Sequence, residues 1–189
     1  MKTRTFIAVE ANDAVRSGAL AAADRLRRVA AGVKWVEPEN LHWTLQFLGD
    51  IDDAEIAEVC QRVGAASAAT PAFSLTVAGV GAFPDLNRPK TLWVGAAEGA
   101  DEMTALQAAI ETSLADMGFR GDRRRYVPHL TIGRVSGRGL TSNPDLAARL
   151  AKLADEPIGE MLVDEVTVYA SRLARAGSAY TVLARLELA

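Results

Sequence analysis

Apolar positions fall along the chain in short runs whose period switches between strand and helix. Residues 5–9 read as a strand, with the unbroken apolar run Phe6, Ile7, Ala8 and Val9. Asn12 or Asp13 is placed to cap a helix running to about residue 30. Residues 33–36 read as a short strand, and residues 41–48 as a longer one that stops at Gly49 and Asp50. Asp52 or Asp53 opens a second helix to about residue 68, which Thr70 and Pro71 close. Residues 73–80 alternate as a strand, with Gly79, Gly81 and Pro84 breaking it up. The second half continues with a strand at 91–96, a helix at 99–117 stopped by Gly118, and a strand at 129–135. Asn143 and Pro144 open a helix at 145–154, and strands at 161–171 and 179–188, joined by a turn at 176–178, finish the chain.

Each half therefore runs strand, helix, strand, helix, strand, and the second half adds one more strand. This order predicts an α+β, two-lobed fold built by duplication. Two mixed sheets are expected to face a central cleft with helices outside. The expected organisation is one bilobed domain, with pseudo-repeat halves at about 1–88 and 89–189. The stretch 83–90, with its two prolines and Asn87, is the best boundary.

Composition narrows the function classes. The chain of 189 residues is 49% hydrophobic and 24% charged with a net charge of −3, which excludes wholesale disorder. That net charge also argues against a protein that coats nucleic acid nonspecifically. No window approaches the roughly 18 unbroken apolar residues of a membrane span, and the first residues lack a signal peptide's apolar region. The single cysteine, Cys60, cannot form an internal disulfide and reads as a small buried hydrophobe in a reducing cytoplasm. With one Cys and two His, a Cys/His zinc site is short of ligands, so no metal is expected. Arginine supplies 17 of the 21 basic residues. Arg120, Arg123, Arg124, Arg125, Arg134 and Arg138 crowd into one segment, the residue type suited to two-pronged phosphate recognition. A solvated loop explains Arg120–Arg125 equally well.

The two histidines carry the sharper signal. Each is followed two residues later by threonine and then by a branched aliphatic: His42, Trp43, Thr44, Leu45 and His129, Leu130, Thr131, Ile132. Side chains two apart on a strand share a face, so each motif presents an imidazole beside a hydroxyl. Trp43, Leu45, Leu130 and Ile132 then point into the layer under the helices. Two imidazoles in one cleft can serve as acid and base, and threonine hydroxyls can donate to phosphoryl oxygens. Arg134 adds fixed positive charge. The set suits metal-independent phosphoryl transfer to water. Strict alternation puts Arg134 on the face opposite His129 unless Gly133 hosts a bulge that re-aims it. Phe47 stands at the same offset from His42, and there a core phenylalanine is an equal alternative. The spacing alone leaves open which histidine gives the proton and which takes it.

These residues resemble the two-histidine (2H) phosphoesterases, and within them the RNA 2′,3′-cyclic phosphodiesterases once described as 2′–5′ RNA ligases. The resemblance spans almost the whole chain: residues 4–9, 35–49, Phe83 and Pro84, 92–95, 128–134 and 171–173. Trp43 stands where leucine is more usual. The resemblance implies a bilobed fold and hydrolysis of RNA or nucleoside 2′,3′-cyclic phosphate ends to 2′-phosphates. It implies His42 as the proton donor to the departing 3′ oxygen and His129 as the base that activates water. Thr44, Thr131 and Arg134 would hold the phosphate, and Phe47 would lie near the substrate base. No cofactor or membrane is expected, and the chain is expected to act as a monomer on unpaired RNA ends. The same groups also fit 2′–5′ ligation and hydrolysis of 2′–5′ oligonucleotides or of an ADP-ribose cyclic phosphate. A noncatalytic RNA-end binding module using the arginine-rich loop is the remaining alternative.

Overall fold

The first strand, β1 (Lys2–Glu10), hands over to helix α1 (Asp13–Arg27) through Asn12, whose side chain accepts from the Val15 amide at 2.8 Å. A computed structural model describes residues 1–121, 125–135, 143–174 and 177–189. After α1 come β2 (Val33–Trp35), a 3₁₀ turn at Pro38–Asn40, β3 (His42–Asp52), α2 (Ile56–Ala68), β4 (Phe73–Phe83) and β5 (Thr91–Ala96). Helix α3 (Ala100–Leu114) runs into a 3₁₀ turn at Ala115–Met117 that stops at Gly118, whose φ is +88°. Strand β6 (His129–Val135), helix α4 (Pro144–Lys152) and strands β7 (Pro157–Val163), β8 (Glu165–Ala174) and β9 (Gly177–Glu187) complete the chain. Asn143 caps α4 by accepting from the Leu146 amide at 3.0 Å, with Pro144 at the first helical position.

The α+β class and the two-lobed layout hold. The sheets differ from expectation. The strands follow one path, β7-β4-β5-β6-β3-β1-β8-β9, with β2 on β6, and all pairings among the described residues are antiparallel rather than mixed. Strand, helix, strand reads as a parallel crossover only if both strands share a sheet as neighbours. Here α1 leaves β1 and the chain returns as β2 against β6, so no parallel pair forms. The two lobes meet at one pair, Trp43 opposite Leu130. One lobe is β3, β1, β8 and β9 under α2 and α3; the other is β4 to β7 with β2, under α1 and α4. The sequence halves 1–88 and 89–189 are therefore not the lobes, because β4 joins the second lobe and β8 and β9 return to the first.

Residues 161–171, read as one strand, belong to two. Strand β7 ends at Val163 and β8 begins at Glu165, and they pair at opposite ends of the sheet path. The break falls at Asp164, where two successive acidic residues, Asp164 and Glu165, interrupt the apolar run and mark the change of partner. The final strand begins at Gly177, two residues earlier than expected, and residue 176 of the expected turn lies outside the described residues.

The main core lies between sheet and helices and takes in Ile7, Val15, Leu26, Val59, Leu106, Leu130 and Val166. Helix α1 reaches β7 closely because Gly18 faces the Ile158 carbonyl, where a side chain would collide. A second, smaller cluster (Phe6, Ala8 and Tyr169, with Tyr180 against it) forms on its own, apart from that core. This is why β1 is buried on both faces from Phe6 to Val9 instead of alternating.

Candidate active site

The two motif strands fold alike. In β3, His42 and Thr44 are half-buried while Trp43 and Leu45 are 0% and 3% exposed; in β6, His129 and Thr131 are half-buried while Leu130 and Ile132 are 0% and 2% exposed. Each strand then breaks its alternation at the same place. Against β1, Ala8 pairs with Thr44 and Ile7 with Gln46, leaving Leu45 as the extra residue. Against β5, Trp93 pairs with Thr131 and Leu92 with Gly133, leaving Ile132 as the extra residue. Each bulge turns two successive residues inward and swings the next to the histidine side. Phe47 and Arg134 therefore occupy equivalent exposed positions. At 61% exposed, Phe47 is not a core residue. Gly133 is the residue that fits inside the second bulge, because a Cβ there would press on Val33 and Trp35 of β2.

The bridge between lobes sets the motifs against one another. Trp43 lies opposite Leu130, so antiparallel continuation sets His42 towards Thr131 and His129 towards Thr44. The arrangement has a local two-fold character about the Trp43–Leu130 pair. The ladder between β3 and β6 consists of that one pair.

Each imidazole is oriented by the same device. His42 Nδ1 lies 2.7 Å from the Asn40 carbonyl, and His129 Nδ1 lies 2.7 Å from the Val127 carbonyl. A carbonyl only accepts, so both Nδ1 atoms carry the proton and both Nε2 atoms are left for substrate. The local sequence sets this up in two ways. Before His42, the 3₁₀ turn Pro38–Asn40 aims its last carbonyl back, and the Asn40 amide donates to the Ser178 carbonyl at 3.1 Å, tying the turn to β9. Before His129, Pro128 holds Val127 in extended backbone, and the Tyr126 hydroxyl donates to the Thr44 carbonyl at 3.1 Å.

The surroundings of the two rings differ. Phe6, Tyr180 and Tyr169 stand around His42 with ring centroids at 5.0, 5.4 and 6.4 Å. Phe83 meets His129 edge-on at 4.9 Å. Burial pushes the His42 imidazole down to about 4; the Asn40 hydrogen bond and the Glu10 charge oppose this, and Arg134 and His129 add to it. His129 is also lowered, first by burial and then by Arg134, against the Val127 hydrogen bond. Arg134 thus acts on both rings, so the bulge brings its charge to both histidines.

A cavity of about 400 Å³ opens beside His42, lined among others by Glu10, Glu39, Asn40, Tyr169 and Tyr180. A larger depression of about 670 Å³ between α2 and α3 holds neither histidine. Among the described residues no group of three His, Cys, Asp or Glu is poised to hold a metal, and no helix is long and apolar enough to cross a membrane. Of the arginine-rich segment, Arg120 and Arg125 are exposed, and Arg123, Arg124 and Arg138 lie outside the described residues. The residues sequence reasoning missed are Glu10, Tyr169 and Tyr180. The unbroken apolar run of β1 was their only trace, since a strand buried on both faces needs a second layer to cover it.

The profile of the 2′–5′ RNA ligase superfamily matches residues 15–174. The chain belongs to that superfamily. Among similar proteins of this superfamily, one from Methanothermobacter thermautotrophicus is 35% identical over 181 residues, covering 96% of each chain. One from Thermotoga maritima is 35% identical over 180 residues, covering 95% of this chain and 92% of the other. Both are named RNA 2′,3′-cyclic phosphodiesterase. The superfamily fold is shared with a Thermus thermophilus protein at a TM-score of 0.80 and 24% identity, covering 98% of this chain and 97% of that one. It is shared as well with Escherichia coli LigT complexed with 3′-AMP, at a TM-score of 0.78 and 24% identity, covering 100% of this chain and 99% of that one.

Proposed function

We propose that this chain hydrolyses the 2′,3′-cyclic phosphate at the end of an RNA or nucleoside to a 2′-phosphate, with no metal ion. The reading rests on one observation above all: two imidazoles with Nδ1 committed to backbone carbonyls, on motif strands that pair at Trp43 and Leu130. The names of the similar proteins support the same substrate class.

In this reading the phosphate lies between Thr44 and Thr131, with Arg134 pairing to its charge. His129 Nε2 takes a proton from water as the water oxygen bonds to phosphorus. The bond from phosphorus to O3′ breaks, and His42 Nε2–H gives its proton to O3′. One water is consumed, and the products are a 2′-phosphate and a free 3′-hydroxyl. His42 must be protonated for this, although burial keeps it neutral in the free protein at pH 7. The entering phosphodiester supplies the negative charge that offsets Arg134 and favours the imidazolium. Phe47, exposed beside Phe6 at 5.8 Å between centroids, offers a face to the terminal base. The same proposal has the chain working as one bilobed unit, as a monomer, in the cytoplasm.

The deciding experiment is turnover of a short RNA with a 2′,3′-cyclic end in the presence of EDTA, with the product phosphate located. A 2′-phosphate product supports the proposal. A joined 2′–5′ product, or binding without turnover, overturns it.

A further inference from the structure

Glu10 is the last residue of β1 and pairs directly with His42 across the sheet. Directly opposed residues of an antiparallel pair put their side chains on one face. Glu10 and His42 accordingly line the same cavity. The carboxylate is built in. Its Oε1 accepts from the Tyr169 hydroxyl and from Arg185 Nη2, the latter at 2.9 Å, while Arg185 Nη1 is held by Glu165 at 2.7 Å. Burial raises the Glu10 carboxyl, but the bonds from Tyr169 and Arg185 outweigh it, so Glu10 stays ionised at neutral pH. Tyr169 also stacks on Phe6 at 5.1 Å, and Phe6 lies against His42, so one tyrosine fixes both the carboxylate and the ring wall. None of these contacts is needed to bind a phosphate, and a carboxylate beside an anion site opposes binding.

We propose that Glu10 is a positioning residue for this reaction: held by Tyr169 and Arg185 across the sheet from His42, it supplies the negative charge that keeps the His42 imidazolium protonated until O3′ departs. The inference rests on the proposed cyclic phosphodiesterase reading, with His42 as the acid. The other groups that face or flank His42 are Arg134 and His129 from β6, Tyr169 from β8, Tyr180 and Arg185 from β9, Glu39 from the 3₁₀ turn, and Arg16 from α1. Glu10 is the carboxylate among them that both pairs with His42 across the sheet and raises its proton affinity. It deposits charge on the leaving-group side only.

The test compares Glu10→Gln, which keeps the shape and an acceptor for Tyr169, with Glu10→Asp, which keeps the charge. In hydrolysis of a nucleoside 2′,3′-cyclic phosphate, Glu10→Gln is expected to lower kcat roughly tenfold, the imidazolium population lost when the His42 pKa falls by about one unit. KM should hold or fall, because the anion site loses a repelling charge. The basic limb of the kcat profile should move to lower pH, and Glu10→Asp should recover most of kcat. An unmoved limb with unchanged kcat in Glu10→Gln overturns the proposal, as does a rise in KM with equal loss in both variants. A second readout is independent of turnover. With inorganic phosphate bound, NMR titration should show His42 losing its proton at lower pH in Glu10→Gln than in wild type; coincident titrations overturn the role of Glu10. If the wild-type chain fails to open cyclic phosphates, the functional reading fails by itself and this titration still decides Glu10.

Discussion

The His42 and His129 strands share a backbone and differ in their walls. Both rings are tied through Nδ1 to the carbonyl two residues back, both threonines follow at the same spacing, and both strands bulge at the fourth residue. Yet His42 is packed among Phe6, Tyr169 and Tyr180 with Glu10 opposite, whereas His129 meets one edge of Phe83. A duplicated backbone places two equal groups, and the side chains around them are what can make one an acid and the other a base. Burial and Arg134 lower both rings, and the Glu10 charge raises His42 against them. The asymmetry is thus electrostatic and sits on a symmetric frame.

The harshest way to probe that frame is to remove one ring at a time. His42→Ala and His129→Ala should each lower kcat by about 10² to 10⁴, the usual range for a general acid or base. The double variant should be little worse than either single one, because the pair works as a unit. Melting temperatures should stay near wild type at pH 7, since both rings are only half-buried. Full activity in either single variant would falsify the two-proton mechanism.

Stability against pH separates the two environments without any substrate. His42 titrates at about 4 when folded and at 6.5 when unfolded, so between those values the unfolded chain binds the extra proton. Stability therefore rises with pH through this window and is fully present above pH 6.5. The difference corresponds to about 3 kcal/mol between pH 7 and pH 4. His129 acts with the same sign. Thermal melts of wild type and His42→Ala from pH 7.5 to 4.5 should diverge as the pH falls, with the variant losing less. Parallel curves would mean that the aromatic wall does not exclude water from His42.

The two residues after the bulges should also part company. Arg134→Met removes a charge-assisted contact to phosphate and should raise KM by roughly 10- to 100-fold for RNA ends and mononucleotides alike, on about 1.5–3 kcal/mol. Phe47→Ala should matter less, and only where a base is present to stack, so inorganic phosphate binding should be unchanged. Equal effects on inorganic phosphate would break the assignment of charge to one strand and stacking to the other.

Much of this candidate site is legible in the sequence. Period-two spacing alone puts the imidazole and hydroxyl of His42 and Thr44, and of His129 and Thr131, on one face. Arg134 needed a bulge, and Gly133 signalled it. The equivalent bulge at Leu45 carries no glycine, so nothing in the sequence re-aimed Phe47. Glu10, Tyr169 and Tyr180 come from three separate strands, and only sheet register brings them to His42. Register also explains the failure of the expected halves. The apolar pattern of β4 or β8 specifies a buried face but not a neighbour, so the exchange of strands between lobes left no trace in it.

The threonines give the finest test of the symmetry. The bridge at Trp43 and Leu130 sets Thr44 and Thr131 in equivalent places, each one residue past the paired position. Thr44→Val and Thr131→Val keep the β-branched shape and remove one hydroxyl each, so strand propensity and packing are held fixed. A hydroxyl donating to a charged phosphoryl oxygen contributes about 1–2 kcal/mol, which corresponds to roughly 5- to 30-fold in kcat/KM. If both hydroxyls serve the same phosphate from opposite sides, the two variants should fall by similar factors and the double variant by roughly their product. Should Thr44→Val cost far more than Thr131→Val, the phosphate sits off the two-fold position, towards His129 and away from the aromatic wall. The reverse ordering would draw it towards His42 and Glu10, and the acid side of the site would then do most of the binding as well as the proton transfer.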